Sequence, residues 1–284
     1  MTKRLQKYCF FLNNANIYPK KVKIVYKSFV LLDIFCIFAG VILYQAIPNR
    51  YIMNQLHKIP TLLIRFANEI SSAELPLFRG AIISKVPASL TLFHNHLDSG
   101  FRYRYPLIQY KRLQDKAAIL CMGEGTEAIG SFFASADFDL LIGDRQAHFE
   151  IANMQAHQWL LQPWENTFHY TLRHWLPFNS ANYATYQQLE GIVARMQMLE
   201  WILVGNILSM CTGLGVHIED EVKCTITQIL NEDVYIYKGV KMQGYSIAFS
   251  SNMYLPNSIG LGKGVSHGFG VVKQKYIKKH ERNS

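Results

Sequence analysis

The sequence predicts an α+β fold built from two similar units of the split βαβ type. Half of its 284 residues are apolar, which is enough to bury a substantial core. Segments with the period of a strand alternate with segments with the period of a helix, and this order of elements occurs twice along the chain.

The first unit is expected to begin at Met53 and to extend to residue 158. Its apolar periodicity predicts two helices, a hairpin and two further strands. In chain order these are a strand at 61–70, a short helix at 75–86, a hairpin over 101–123 that turns at Gln114 and Asp115, a helix at 126–135 and a closing strand at 145–154.

The second unit is expected to occupy residues 159–275. Its aromatic, proline-punctuated beginning, 159–182, suggests a connection between the two units. Residues 186–215 have the apolar spacing of a helix face and end at Gly213. The segment 221–252 predicts two or three strands, joined at 231–233 and at 239–244.

The ends of the chain differ from these units. Lysines precede an apolar run at 29–47 that is long enough for a membrane helix but is interrupted by Asp33. Residues 1–52 are therefore either a membrane anchor or sequence upstream of a true start at Met53, and a signal peptide fits less well. The basic tail, 276–284, is expected to be solvated and to attract RNA nonspecifically at most.

The charge and the cysteines restrict the classes of partner. A formal net charge of +9 favours an anionic partner, either nucleic acid or an acidic membrane surface. The five cysteines contain no CxxC pair, which argues against a disulfide framework and against a cysteine zinc site. A reducing cytosol, and hence a cytoplasmic protein, fits best.

Two histidines stand one residue apart in FHNHLDSGFRYRYPLIQYK, residues 93–111. On an extended segment His94 and His96 would share one face, with Cα atoms about 6.6 Å apart. One ring could then take a proton while the other gives one, as metal-free RNA cleavage requires. As metal ligands they would lack an evident third donor. Two solvated histidines at a strand end are the alternative.

Basic and aromatic residues alternate just beyond the histidine pair. Arg102, Arg104 and Lys111 could hold phosphate charge, while Tyr103 and its neighbouring tyrosines could hydrogen-bond phosphate or stack on unpaired bases. Tyrosines packed inward beneath solvated arginines would explain the same alternation.

The second motif is GLGKGVSHGFG, residues 260–270. It contains G-x-S-x-G around Ser266, but a nucleophile elbow needs a strand before the serine and a helix after it, whereas here glycines lead into a strand. It also lacks the pattern of a P-loop or of a dinucleotide fingerprint. Either a main-chain phosphate cradle with Lys263 at its tip or a set of tight turns remains.

These features together resemble the CRISPR-associated repeat-cleaving endoribonucleases of the Cas-six (Cas6) type, within the RAMP superfamily. That family ends in G-x-G, several residues and then a G-aromatic-G loop before a strand. The matching residues here are Gly260, Gly262, Gly268, Phe269 and Gly270. The segment YRYPLIQYK after a histidine-bearing stretch also resembles one subgroup, and the likeness extends over about residues 53–275.

The resemblance implies tandem ferredoxin-like (RRM-like) domains and an enzyme that cuts precursor CRISPR RNA within each repeat, with no metal and no cofactor. By position, His94 and His96 match the histidine pair of the subgroup, and Tyr103 matches a tyrosine just downstream. These three are the catalytic candidates. The RNA-binding candidates are Arg102, Arg104, Lys111, Gly260, Gly262, Lys263, Gly268 and Gly270.

Two alternatives to this function stay open. The first is a RAMP-type subunit that has lost catalysis and only holds a guide RNA in a CRISPR effector complex, which would need the glycine loop but not the histidines. The second is a membrane-anchored protein whose soluble part binds an anionic ligand. The expected partner is CRISPR repeat RNA, and either a homodimer or an effector complex is compatible with the sequence.

Overall fold

The computed structural model describes residues 57–87, 89–94, 96–97, 100–101, 105–135 and 138–275. In this part of the chain there are two four-stranded antiparallel sheets, and the α+β prediction with tandem ferredoxin-like units is confirmed. The apolar run 29–47, Met53 and the basic tail 276–284 lie outside the described residues.

The first unit contains β1 (Lys58–Glu69), α1 (Leu75–Ser84), α2 (Thr91–His94), β2 (His96–Leu97), β3 (Gly100–Phe101), β4 (Ile108–Leu113), β5 (Lys116–Met122), α3 (Gly125–Ser135), β6 (Asp139–Ile142), β7 (Arg145–His148) and β8 (Ile151–Leu160). Its four-stranded sheet has the strand order β4-β5-β1-β8, with each neighbouring pair antiparallel. This is the order of a ferredoxin-like unit, in which two crossover helices join strands that are not neighbours.

Local sequence signals account for most of this first unit. The predicted first strand, both helices and the β4–β5 hairpin are confirmed, and Gln114 and Asp115 have the positive φ values, 52° and 65°, that a tight hairpin turn requires. The closing strand, predicted at 145–154, is β8 at Ile151–Leu160, and the beginning of the predicted range is the separate strand β7, which pairs with β6. The Asn68 side chain accepts from Glu150 N and donates to His148 O, which separates β7 from β8.

The second unit contains β9 (Pro163–Trp175), α4 (Ser180–Gln188), α5 (Ile192–Gly213), β10 (Cys224–Tyr237), β11 (Val240–Met253), a 3-10 helix (Val265–His267) and β12 (Val271–Lys275). Its sheet repeats the same topology, with the order β10-β11-β9-β12. Its second crossover differs from that of the first unit, because residues 254–270 contain a short 3-10 helix in place of a crossover α-helix.

The prediction of a connection over 159–182 was wrong, because β9 fills most of it. This strand pairs with β11 on one side and with β12 on the other. Pro163 is its first residue, a position where a missing N–H is tolerated. The aromatic residues that suggested an irregular link are strand residues, and Tyr170 and Trp175 are fully buried.

Two further details of the second unit differ from the prediction. The helix over 186–215 is two helices, separated at Gly191, which has a φ of 76°. The segment 221–252 contains two long strands, and they turn at Lys238 and Gly239. The polar residues 231–233 lie within β10, next to an irregularity in its pairing with β11, rather than in a turn.

One buried cluster includes residues of both sheets and of α5. Leu199, Leu203 and Ile207 on the buried face of α5 are fully enclosed. By length and composition α5 would also be able to span a membrane, with a mean hydropathy of 1.2 over 18 residues. Of that window 22% is buried inside the structure, and the buried residues belong to the shared core, while Ile192, Val193 and Trp201 are exposed.

Candidate nucleic-acid interface

The segment Gly260–Gly270, which we call the glycine loop, lies just before β12 and in place of the second crossover helix. Leu261 N donates to Gly270 O at 2.8 Å, which closes the loop on itself. Several of its glycines have a positive φ, a conformation that costs L-amino acids energy but is open to glycine. These are Gly262 at 88°, Gly264 at 74°, Gly268 at 84° and Gly270 at 63°.

Close packing is a second reason for these glycines. A Cβ at Gly270 would overlap the carbonyl oxygen of Leu261, and a Cβ at Gly268 would overlap the side chain of Leu75 in α1. A Cβ at Gly262 would lie 2.7 Å from the Trp175 ring. The glycine loop is therefore packed tightly against both units of the chain.

Hydrogen bonds within the protein occupy much of the loop's main chain. The N–H groups of Gly260, Gly268 and Gly270 all donate to protein acceptors, at 3.0, 3.3 and 2.9 Å. In this structure they are not directed at an external phosphate, so RNA binding through these glycines stays a prediction. Lys263 is exposed at the loop surface, while its own N–H donates to Leu176 O at 3.0 Å.

A closed polar network joins the glycine loop to the first unit. The Tyr105 hydroxyl donates to Gly260 O at 2.7 Å, and Gln109 Oε1 accepts from Gly260 N at 3.0 Å. Gln109 Nε2 donates to the Tyr105 hydroxyl at 2.8 Å, which completes the network. Burial raises the pKa of Tyr105, so its hydroxyl stays protonated and can donate.

Lys111 lies in the same contact between the first unit and the glycine loop, which we call the joint. A residue that contacts phosphate would instead lie on the surface. Its side chain is fully buried, and Nζ donates to Val265 O at 3.4 Å. Burial lowers the pKa of Lys111 to about 7. In this structure Lys111 holds β4 against the 3-10 helix of the glycine loop, which differs from the role that the sequence suggested.

Arg79 is a cation near the loop that the sequence analysis did not single out. Its guanidinium carbon lies 5.9 Å from the centre of the Tyr110 ring, and its Nε is buried without a hydrogen-bond partner among the described residues. Burial, followed by the charges of Arg79 and Lys238, lowers the pKa of His267 in the loop to about 4. The sequence signal for Arg79 was its position as the one basic residue in the apolar stretch LPLFRGAII.

In the segment that carries the histidine pair, the structure describes the backbone of residues 94, 96–97 and 100–101. His94 ends α2, and His96 lies in β2, opposite Phe101 of β3. The two histidines therefore belong to different elements, so the shared face expected on one extended segment does not apply. Arg102, Tyr103 and Arg104 lie outside the described residues, and the described chain resumes at Tyr105.

Within the described ranges, no group of three or more His, Cys, Asp or Glu residues is arranged to hold a metal ion.

Two family profiles match the chain in tandem. The profile of the Cas6b N-terminal domain matches residues 57–159, and that of the Cas6b C-terminal domain matches residues 162–275.

Known structures and a curated relative show similarity as well. A crystal structure of Cas6b aligns with a TM-score of 0.66 and 26% identity, over 77% of this chain and 100% of that chain. A crystal structure described as CRISPR RNA processing endoribonuclease Cas6b has the same coverage, a TM-score of 0.60 and 23% identity, which is a likeness in fold. An uncharacterized protein of Methanocaldococcus jannaschii is 39% identical over 99 residues, which are 34% of this chain and 65% of that protein, slightly less than two thirds of its length.

Proposed function

The chain belongs to the Cas6b family, and from this premise we propose that it is an endoribonuclease that cuts precursor CRISPR RNA within each repeat. The observation that carries the proposal is the tandem match of both Cas6b domains over residues 57–159 and 162–275. The net charge of +9 agrees with an RNA substrate.

In the proposed reaction the ribose 2′-hydroxyl attacks the adjacent phosphorus while the bond to the 5′-oxygen breaks. One of His94 and His96 removes the proton of the 2′-hydroxyl, and the other protonates the departing 5′-oxygen. The products are a 5′-hydroxyl end and a cyclic phosphate, which water can open to a 3′-phosphate. No metal is needed because side chains transfer both protons.

Cations and hydrogen-bond donors would stabilise the charge that develops on the phosphate in the transition state. Arg102 and Arg104 are the proposed cations beside the histidines, and the Tyr103 hydroxyl is the proposed donor. In the described structure Arg79 offers a guanidinium whose Nε is buried without a hydrogen-bond partner among the described residues. Two oxygens of a phosphate match the planar set of donors of a guanidinium.

The glycine loop would hold the histidine segment near the RNA through Tyr105. Tyr103 precedes Tyr105 by two residues in the sequence, and the Tyr105 hydroxyl is bound to Gly260 O at 2.7 Å. A substrate strand that passes the loop would therefore pass close to the point where the catalytic segment ends. We further propose that the protein acts in the cytoplasm, where its RNA is made.

The proposal is tested by incubating the full chain with CRISPR repeat RNA in EDTA. The wild-type protein should make one cut within the repeat, and His94→Ala combined with His96→Ala should abolish the cut while RNA binding persists. His217→Ala, a change of an exposed histidine on a loop of the second unit, is the matched control and should cut normally.

The outcomes separate the two RNA-related functions. Unchanged cleavage by the double histidine variant would contradict the proposed roles of these residues. If the wild-type protein binds the repeat but never cuts it, the catalytically inactive guide-RNA-binding subunit becomes the better description. Cleavage that stops in EDTA and returns with a divalent ion would contradict the metal-free chemistry.

A further inference from the structure

A row of aromatic rings lies where the β10–β11 hairpin meets the glycine loop. The ring centroids are 5.4 Å apart for His174 and Tyr235, and 5.9 Å apart for Tyr235 and Phe269. They are 5.8 Å apart for Phe269 and Tyr237, and 5.5 Å apart for Tyr237 and His267. We call these residues the aromatic row. It runs from β9 across the hairpin to the loop.

The hairpin that carries the two tyrosines projects past the second sheet. β11 pairs with β9 only from Tyr245 onward, so none of the described strands lies beside the turn end of the hairpin as a third strand. Because side chains alternate along a strand, Tyr235 and Tyr237 share the face that meets the glycine loop. Val234 and Ile236 are on the opposite face and are 59% and 70% exposed.

Four of the five rings of the aromatic row are half-buried and the fifth, His174, is exposed, in contrast to the aromatic residues of the core. Tyr110 and Tyr170 are among the side chains with less than 2% exposure, whereas Tyr235, Tyr237 and Phe269 keep an intermediate exposure. Rings that only fixed the hairpin to the loop would gain most from complete burial, since the apolar gain grows with the area removed from water. The row thus leaves aromatic surface accessible to another flat group.

Both histidines of the row have a lowered pKa, which favours the neutral imidazole. Burial, and then the charge of Arg173, lower the pKa of His174, although Asp233 acts in the opposite direction. Burial, followed by Arg79 and Lys238, lowers the pKa of His267 to about 4. Neutral imidazoles can stack against a base without the cost of stripping water from a charge.

Cations border the same surface. Lys238 Nζ lies 5.8 Å from the centre of the Tyr237 ring, and Arg79 acts on His267 from the side of the first unit. Flat rings that alternate with positive charges are the pattern by which proteins bind single-stranded nucleic acid, since bases stack on the rings and cations meet the phosphates. Asp233 is the carboxylate that acts on the row, through His174 and Tyr235.

We propose that the aromatic row is a stacking platform for unpaired nucleobases of the repeat RNA, with Lys238 and Arg79 placed to meet the phosphates. This inference rests on the proposed function, because it takes the repeat as the ligand. Bases within a duplex already stack on their neighbours, so only unpaired nucleotides can lie on exposed rings. The row therefore selects repeat RNA that is single-stranded at this point.

The test measures binding separately from cleavage. The probe is a repeat RNA that carries 2-aminopurine, with 2′-O-methyl groups that prevent attack by the 2′-oxygen, offered either as a single strand or annealed to its complement. Binding of the single strand should quench the 2-aminopurine emission at positions that reach the platform. Tyr235→Leu and Tyr237→Leu should each weaken single-strand binding by roughly tenfold to a hundredfold. Binding of the duplex should not change.

Two sets of matched variants isolate stacking from packing and stability. Tyr235→Phe and Tyr237→Phe keep an aromatic ring and should bind the single strand nearly as the wild-type protein does. Tyr183→Leu removes a tyrosine that is 42% exposed on α4, and it should have no effect on binding. The melting temperature of each variant shows whether a loss of binding reflects a loss of folding.

The proposal is overturned if both leucine variants bind single strands as tightly as Tyr183→Leu does. It is also overturned if the wild-type protein leaves 2-aminopurine emission unchanged at every repeat position, a result that needs no variant. Failure of the proposed function would appear differently. In that case tyrosine-dependent binding would persist while unmodified repeat RNA stays uncut.

Discussion

Replacing Gly270 with alanine should strongly destabilise the glycine loop. Gly270 has a φ of 63°, and an added Cβ would overlap Leu261 O, which belongs to the backbone and cannot rotate away. The left-handed conformation costs an L residue about 1–2 kcal/mol. Forcing two packed segments apart costs roughly 1–3 kcal/mol more. We therefore expect the free energy of unfolding to fall by about 2–5 kcal/mol.

Thermal unfolding followed by circular dichroism measures this loss, at about 2–4 °C per kcal/mol for a domain of this size. Gly191→Ala is the matched control, because Gly191 has a φ of 76° but no atom within 4 Å of an added Cβ. Its ψ of 157° puts it in a region that only glycine adopts readily, so the change should cost about 1–3 kcal/mol from conformation alone. If Gly270→Ala and Gly191→Ala melt at the same temperature, the close approach to Leu261 is not what requires a glycine.

Three further predictions concern the joint and its surroundings. Tyr105→Phe leaves buried Gly260 O without its donor and should lower the free energy of unfolding by about 1–3 kcal/mol, whereas Tyr183→Phe at an exposed site should not. Burial holds the pKa of Lys111 at about 7, well below its unfolded value, so the unfolded state binds more protons between these two values. The stability of the wild-type protein should therefore rise from about pH 7 to pH 9 relative to Lys111→Met, and parallel pH profiles would contradict this. Arg79→Gln should weaken RNA binding and make the slope of log K against log salt shallower by about 1, and an unchanged slope would show that Arg79 contacts no phosphate.

Local patterns in the sequence were sufficient for much of the fold. The hairpin turn at Gln114 and Asp115 and the helices α1 and α3 follow from periodicity and turn chemistry within a few residues. The prediction of an irregular connection failed at Pro163–Trp175, which is a strand between β11 and β12. Its mixture of aromatic and polar residues also occurs in irregular segments. The split at Gly191 was missed because the apolar spacing continues on both sides of it.

The joint around the glycine loop could not be predicted, because it depends on residues that are far apart in sequence. Tyr105 and Gly260 are separated by 155 positions. Alternation in β4 indicates which residues share a face, but not that Lys111 would face the glycine loop rather than solvent. The tyrosines of the hairpin gave a visible signal in the sequence, YIYKG at 235–239, whose position beside the loop emerged only with the fold.

The central claim is that RNA is cut by its own 2′-hydroxyl, and a single-atom change in the substrate tests it most directly. A repeat RNA with one 2′-deoxynucleotide at the cleavage position should bind the wild-type protein as the unmodified RNA does and should remain uncut. The same deoxynucleotide placed one position away should leave cleavage intact. Cleavage at the deoxynucleotide would contradict the proposed mechanism, because no 2′-oxygen is present there to attack the phosphate.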